Sequence, residues 1–320
     1  MTFIRSLLFV IIFFSFSKVL FAQADVQLLF GEPATHFTQS LPLGNGRLGA
    51  MVFGNTNKER IVLNEISMWS GGVEDPNRKD AYEALPIIQS LLQQEKNKEA
   101  QELLQQKFTA AGKGSGHGNG ANVKFGAYKT LGDLFITYHD TGATVTFYKR
   151  VLHIDKAVAI TEWTRNGIGY RQEVWVSHPQ QVIVVKLSAN KPGALHFDVN
   201  LNRKERATVL AIENTLNMQG QLNGGDGDAG VKFSAFAKAI PADGKVTAKS
   251  NSLQVSGATE CTILLSAATD LAWPQVEVRG PQPLPVATQW VQTAARLSPT
   301  DLLKNHIKDY QPYFNACRLQ

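Results

Sequence analysis

Ala157-Val158-Ala159-Ile160-Thr161-Glu162-Trp163-Thr164, then Asn166-Gly167, then Gly169-Tyr170-Arg171-Gln172-Glu173-Val174-Trp175-Val176-Ser177, is the stretch that decides the fold. Apolar residues alternate with polar ones at period two, the spacing of a strand with one buried face. Asn-Gly readily takes the positive φ values of a type I′ turn, so the two runs read as a hairpin. In its second strand Tyr170, Val174 and Val176 face one way, and Arg171, Glu173 and Trp175 the other. Outward from this hairpin, Gln181 to Ser188, Ala194 to Leu201, Gly230 to Ile240, Lys245 to Ser256 and Glu260 to Ala268 repeat the pattern. No helical crossover between them is long enough for parallel pairing. The expected fold is therefore mainly β, an antiparallel two-sheet β-sandwich.

Two segments depart from this period. Leu85, Ile88, Leu91 and Leu92, then Ala100, Leu103, Leu104 and Phe108, recur at helical spacing. They predict a small helical insertion packed on the sheets, with Pro86 in a first turn and Asn97 at a break. At the carboxyl end, Pro281, Pro283 and Pro285 read as a stiff connector before helices over Gln289 to Leu297 and Pro299 to Phe314. Between the insertion and the next strands, Gly112, Gly114, Gly116, Gly118 and Gly120 alternate with small or polar residues and predict a flexible loop. The expected organisation is a signal peptide over 1–24, a sandwich over 25–275, and a helical linker over 276–320.

The first segment is assigned on export grounds. Arg5 supplies a charged start, Leu7 to Phe14 an unbroken apolar run, and Ala22-Gln23-Ala24 a small-x-small cleavage site. The uncharged stretch between Arg5 and Lys18 is too short to span a bilayer, which takes about 20 residues. The expected location is therefore periplasmic or extracellular, with no membrane attachment after cleavage. Removing residues 1–24 takes away Arg5 and Lys18 and no acid, so the formal charge of +5 falls toward balance. Lysines and arginines are scattered among acids rather than clustered on a stripe, which argues against nucleic acid.

Metal and cofactor signatures are missing. Cys261 and Cys317 make neither a Cys-x-x-Cys nor a metal-ligand spacing. Cys261, inside Cys261-Thr262-Ile263-Leu264-Leu265, reads as a core thiol, and its pairing with Cys317 stays open. Asn223-Gly224-Gly225-Asp226-Gly227-Asp228-Ala229-Gly230 offers two carboxylates, too few for calcium, and reads as a long solvated loop. Gly44-Asn45-Gly46-Arg47-Leu48-Gly49 imitates a dinucleotide fingerprint. The fingerprint must open a helix after a strand, whereas Ala50-Met51-Val52-Phe53 continues as a strand, so the glycines belong to a tight turn.

The chemistry-bearing residues gather around that turn: His36, Asn45 and Arg47, then Asn64, Glu65 and Trp69. Arg47 suits bidentate carboxylate pairing, with Glu65 a candidate partner. Glu65 lies between apolar runs, where an unpaired carboxylate is costly, so it reads as a hydrogen-bonded structural acid. His36 and Arg47 read as an internal network holding the Gly-Asn-Gly turn, against the alternative of a rim that meets substrate or a neighbouring domain. For Trp69, an outward role in stacking on a ligand and filling the core stand equal.

On these residues the chain resembles the amino-terminal domain of glycoside hydrolase family 95, the inverting α-L-fucosidases. Leu41-Pro42-Leu43-Gly44-Asn45-Gly46-Arg47-Leu48-Gly49 carries most of the likeness. Leu131-Gly132-Asp133-Leu134, Tyr148-Lys149-Arg150, Asp155-Lys156-Ala157 and His178-Pro179 support it. Ile66 stands where the family usually has an acid, and Met68 where it has Leu. The resemblance implies a terminal-fucose hydrolase acting on fucosylated glycans, whose acid and base lie in a helical barrel that follows the sandwich and linker. It assigns no catalytic residue, cofactor or metal to this chain, which is expected to be inactive alone. A stand-alone carbohydrate-binding or interaction module is the competing reading. Another sandwich-plus-barrel glycosidase or phosphorylase is disfavoured by the Gly44–Gly49 block.

Overall fold

A computed structural model describes residues 26–114, 120–272 and 275–317 of the chain. The expected signal peptide and part of the glycine-rich loop lie outside the described residues. Two antiparallel sheets face each other. The larger has nine strands in the order β1 (Gln27–Phe30), β6 (Val145–His153), β7 (Val158–Arg165), β8 (Ile168–Ser177), β9 (Val182–Ala189), β16 (Glu260–Thr269), β13 (Asp228–Pro241), β12 (Thr215–Gly225) and β11 (Ala207–Ile212). The smaller has seven: β14 (Lys245–Ala248), β15 (Ser252–Ala258), β10 (Leu195–Asn202), β5 (Gly132–Tyr138), β4 (Lys58–Glu65), β3 (Leu48–Val52) and β2 (Leu41–Gly44). A short ribbon, β17 (Leu271–Ala272) with β18 (Gln275–Arg279), follows the sandwich.

The hairpin read from sequence is β7–β8, with Trp163 opposite Tyr170 and Ala159 opposite Val174. Asn166 and Gly167 take φ of 52° and 73°, as a type I′ turn requires. Its inward residues Ala159, Trp163, Tyr170, Val174 and Val176 join the core between the sheets, where Trp163 stacks on Tyr170 at 5.3 Å. The opposite face is also covered. Trp175 is 1% exposed and packs with Val182, Val184, Phe236 and Leu264 under Ala287, Val291, Ala294 and Leu302 of two carboxyl-terminal helices.

Those helices, α3 (Pro283–Ala294) and α4 (Pro299–Ala316), correct the expected connector. Pro283 and Pro285 do not stiffen a linker but sit in the opening turn of α3, where a missing N–H is no loss and the fixed φ suits a helix. Ser298 caps α4 by accepting from the Asp301 N–H at 3.0 Å.

Four further expectations change. The insertion forms helices α1 (Ala81–Gln93) and α2 (Asn97–Lys107), with Asn97 opening the second. It packs mainly on itself, through Ala84, Ile88, Leu91, Ala100 and Leu103, rather than joining the inter-sheet core. Pro86 falls inside α1 because the helix begins five residues earlier. The carbonyl it leaves without a donor belongs to Tyr82, an exposed residue. Asn223–Gly230 is no long loop, since β12 runs to Gly225 and β13 resumes at Asp228, leaving a turn at Asp226-Gly227 with φ of 52° and 93°. The Lys245–Ser256 run divides into β14 and β15.

Candidate functional site

The signature turn is built by its asparagine. Asn45 Oδ1 accepts from the Arg47 and Leu48 N–H groups at 3.0 and 2.7 Å, closing the tip of the β2–β3 hairpin. Gly46 provides the positive φ, 87°. Asn45 Nδ2 donates to the Ser177 carbonyl at 3.0 Å, which ties this hairpin of the smaller sheet to the end of β8 in the larger one. The block leads into strand β3, so the phosphate-binding geometry of a dinucleotide site is not formed.

Arg47 reaches from this turn across the gap between the sheets. Its Nε donates to Gln181 Oε1 at 2.6 Å and its Nη1 to the Ala267 carbonyl at 2.5 Å. Nη1 also lies 3.6 Å from Glu65 Oε1, and the guanidinium covers the Trp290 ring of α3 at 4.1 Å. Glu65 ends β4 and is 3% exposed. Its Oε2 accepts from the Ser67 N–H at 2.8 Å and the Ser67 hydroxyl at 2.5 Å, and that hydroxyl meets Thr269 Oγ1 at 2.6 Å. Burial pushes the Glu65 carboxyl above its ordinary range, opposed by the Ser67 and Arg47 contacts. Burial lowers the Arg47 guanidinium, opposed by Glu65. Both carboxylate oxygens are engaged, so the group acts as an internal brace.

Trp69 resolves differently from both of its neighbours. Met68 fills the core at 0% exposure, while Trp69 is 46% exposed beside Tyr128 at 42%, ring centroids 5.8 Å apart. The backbone behind this pair is rigid. Trp69 and Tyr128 form a bridge, Ser70 N–H donates to the Ala127 carbonyl at 3.0 Å, and Ala127 N–H donates to the Ser70 hydroxyl at 2.9 Å. Gly126, at φ 74°, passes so close that a Cβ there would lie 1.9 Å from the Ser70 carbonyl oxygen. Asn64 packs its Cβ against Gly49, and the Tyr128 hydroxyl lies 3.5 Å from the Glu65 carbonyl oxygen, to which it donates. Phe125 and Ile66 are exposed nearby in sequence.

The structure thus gathers Asn45, Arg47, Asn64, Glu65 and Trp69 around the β3–β4 end of the smaller sheet. His36 is outside this network: it is exposed and precedes a short 3-10 turn, Phe37–Gln39, so it does not hold the Gly-Asn-Gly turn as expected. Its backbone N–H, with Thr35, is served by Gln39 Oε1. Sequence reasoning missed Gln181, Trp290, Ser67 and Thr269, which complete the Arg47–Glu65 network, and Tyr128, which completes the Trp69 pair. Only Tyr128 had a local signal, an aromatic next to a glycine-rich turn. Among the described residues no group of three or more His, Cys, Asp or Glu is placed to hold a metal. Cys261 and Cys317 are unbonded, and burial pushes the Cys261 thiol up to about 12.

Two facing antiparallel sheets, locked through a glycine-asparagine turn and overlaid by two helices, define a super-sandwich domain. Residues 28–272 match the family model described as glycosyl hydrolase family 65, N-terminal domain, and the chain belongs to that family. It is 26% identical over 326 residues to "Alpha-L-fucosidase 2" of Arabidopsis thaliana, covering 92% of this chain and 36% of the relative. It is 27% identical over 309 residues to "Probable alpha-fucosidase A" of Aspergillus niger, covering 90% and 36%. The solved structure "Putative kojibiose phosphorylase from human microbiome" superposes with a TM-score of 0.50 at 11% identity, over 90% of this chain and 37% of that one. That likeness is one of fold. The chain spans about a third of the length of the relatives it matches.

Proposed function

We propose that this domain serves an exported α-L-fucosidase-type glycoside hydrolase, presenting a sugar-facing surface to a helical barrel that performs the inverting hydrolysis of terminal fucose. The observation that carries the reading is the contrast between Glu65 and Trp69. Inverting hydrolysis needs a general acid and a general base about 6.5–9.5 Å apart, on opposite sides of the scissile bond. Glu65, the carboxylate that pairs with the arginine of the signature turn, is buried with both oxygens bound by Arg47 and Ser67. Trp69 and Tyr128 are exposed and held by a stiff backbone, an arrangement suited to stacking on the apolar face of a sugar ring. The sandwich then contributes binding and positioning, while chemistry comes from the partner domain. Binding equal in ground and transition states does not speed the chemical step.

The purified chain is expected to give no turnover of an aryl α-L-fucoside above background. Turnover abolished by Glu65→Gln would overturn the assignment and make Glu65 catalytic. Export is proposed from Arg5, the Leu7–Phe14 run and the Ala22-Gln23-Ala24 site, with the mature chain starting at Gln23 or Asp25. Amino-terminal sequencing of the secreted fraction tests this, and recovery of Met1 there would overturn it. The rigidity of the exposed Trp69–Tyr128 pair also favours a second reading, a carbohydrate-binding module that works without a barrel. Sugar retention by the chain alone at physiological concentrations would support that reading over the first.

A further inference from the structure

On another side of the signature turn, between it and α4, lies a cavity of about 330 Å³, at the lower end of the range of about 300–1,000 Å³ that small-molecule sites occupy. Asn45, His178, His306, Asp309, Tyr310 and Tyr313 line it. The wall given by α4 is aromatic and fixed. His306, Tyr310 and Phe314 stack along the helix at centroid spacings of 6.2 and 6.1 Å. His306 Nε2 faces the Lys156 and Ala157 carbonyls at 2.9 and 3.2 Å, so it carries the proton and donates. Tyr310 donates to the Ile154 carbonyl at 2.8 Å.

Asn45 is held within the turn, while His178, Asp309 and Tyr313 keep positions open toward the cavity. His178 Nδ1 lies 3.5 Å from Asp309 Oδ2. Among the described residues the second Asp309 oxygen, His178 Nε2 and the Tyr313 hydroxyl have no partner. A carboxylate acceptor beside an imidazole, next to tyrosine rings, matches the adjacent hydroxyls and the apolar face of a pyranose. The carboxylate works against phosphate, sulfate and other anions.

We propose that this cavity is a binding subsite for one neutral sugar unit, built from different residues than the Trp69 surface. The inference rests on the carbohydrate reading of the domain. Its test is calorimetric titration of the purified chain with L-fucose in a Trp69→Ala background, so that the cavity alone is read, with inorganic phosphate as the competing probe. L-fucose is expected to bind, and adding Tyr313→Ala or Asp309→Ala is expected to weaken it fivefold or more, the loss that follows removal of one or two hydrogen bonds. Asp309 also meets His178 where α4 docks, so its variant is checked by the thermal midpoint. Tyr313, 75% exposed, supplies the variant that cannot unfold the helix. Affinity unchanged by Tyr313→Ala, or fucose displaced by millimolar phosphate, overturns the proposal. Fucose binding present in the native chain but abolished by Trp69→Ala alone overturns it too, while leaving the Trp69 surface intact. Fucose binding absent from the native chain overturns both.

Discussion

Arg47→Ala is expected to destabilise the fold by about 3–5 kcal/mol, the range for breaking a buried ion pair from one side. The truncation leaves Glu65 at 3% exposure without its counter-charge, removes the donor to the Ala267 carbonyl, and uncovers the Trp290 ring. Glu65→Gln is expected to cost less, because an amide still accepts from Ser67 and carries no charge. Combining the two should recover part of the Arg47→Ala loss, since the stranded carboxylate is then gone. Arg47→Lys should fall between, because an ammonium cannot fork to Gln181 and Ala267 while lying flat on an indole. Urea denaturation of the four chains followed by circular dichroism measures the cycle. A single-mutant loss under 1 kcal/mol, or strict additivity, would show that the network is not the brace described.

The second large effect is a pH dependence at Glu59, an acid on β4 that is 1% exposed. Its Oε1 accepts from the Phe53, Gly54 and Arg60 N–H groups at 3.1, 3.0 and 3.0 Å, and its Oε2 from Gln172 Nε2 at 3.2 Å. Burial outweighs these donors and pushes the carboxyl up to about 7. A folded value above the unfolded one means that the protonated acid is the form the fold prefers. The associated stability is fully present below about pH 4.5 and is lost as pH rises through 7. Glu59→Gln removes the titration. Relative to the native chain it should therefore gain about 3 kcal/mol in stability between pH 4.5 and pH 8, other groups cancelling in the difference. A difference independent of pH would mean that the four donors hold the carboxylate ionised throughout.

How much of this was legible depended on how far apart the interacting residues are in the chain. The β7–β8 hairpin could be read because alternation and the Asn166-Gly167 turn are local and agree with each other. The Asn45 turn could be read for the same reason, and Arg47 with Glu65 because a buried acid on one strand calls for a cation on a neighbour. Gln181, Ala267 and Trp290 could not, since nothing within ten residues of Arg47 announces them. The stretch 223–230 misled because glycine serves two purposes, a free loop and a strand that another backbone approaches closely. At Gly225 it is the second: a Cβ would lie 2.3 Å from the Val123 carbonyl carbon. Trp69 was evenly balanced on composition. The bridge to Tyr128, which turns it outward, depends on a segment brought back from the far side of the helical insertion.

The Arg47 brace also bears on time. Its bonds to Gln181 and Ala267 close across 134 and 220 positions of chain, so they exist only once both sheets are assembled. Contacts of such long separation are intrinsically slow to reach. An interaction completed after the folding barrier adds little to the rate of folding and acts almost wholly on the rate of unfolding. The turn that looked in sequence like a nucleotide fingerprint is thus expected to act as a late-closing latch, one that governs how long an assembled sandwich lasts more than how quickly it forms.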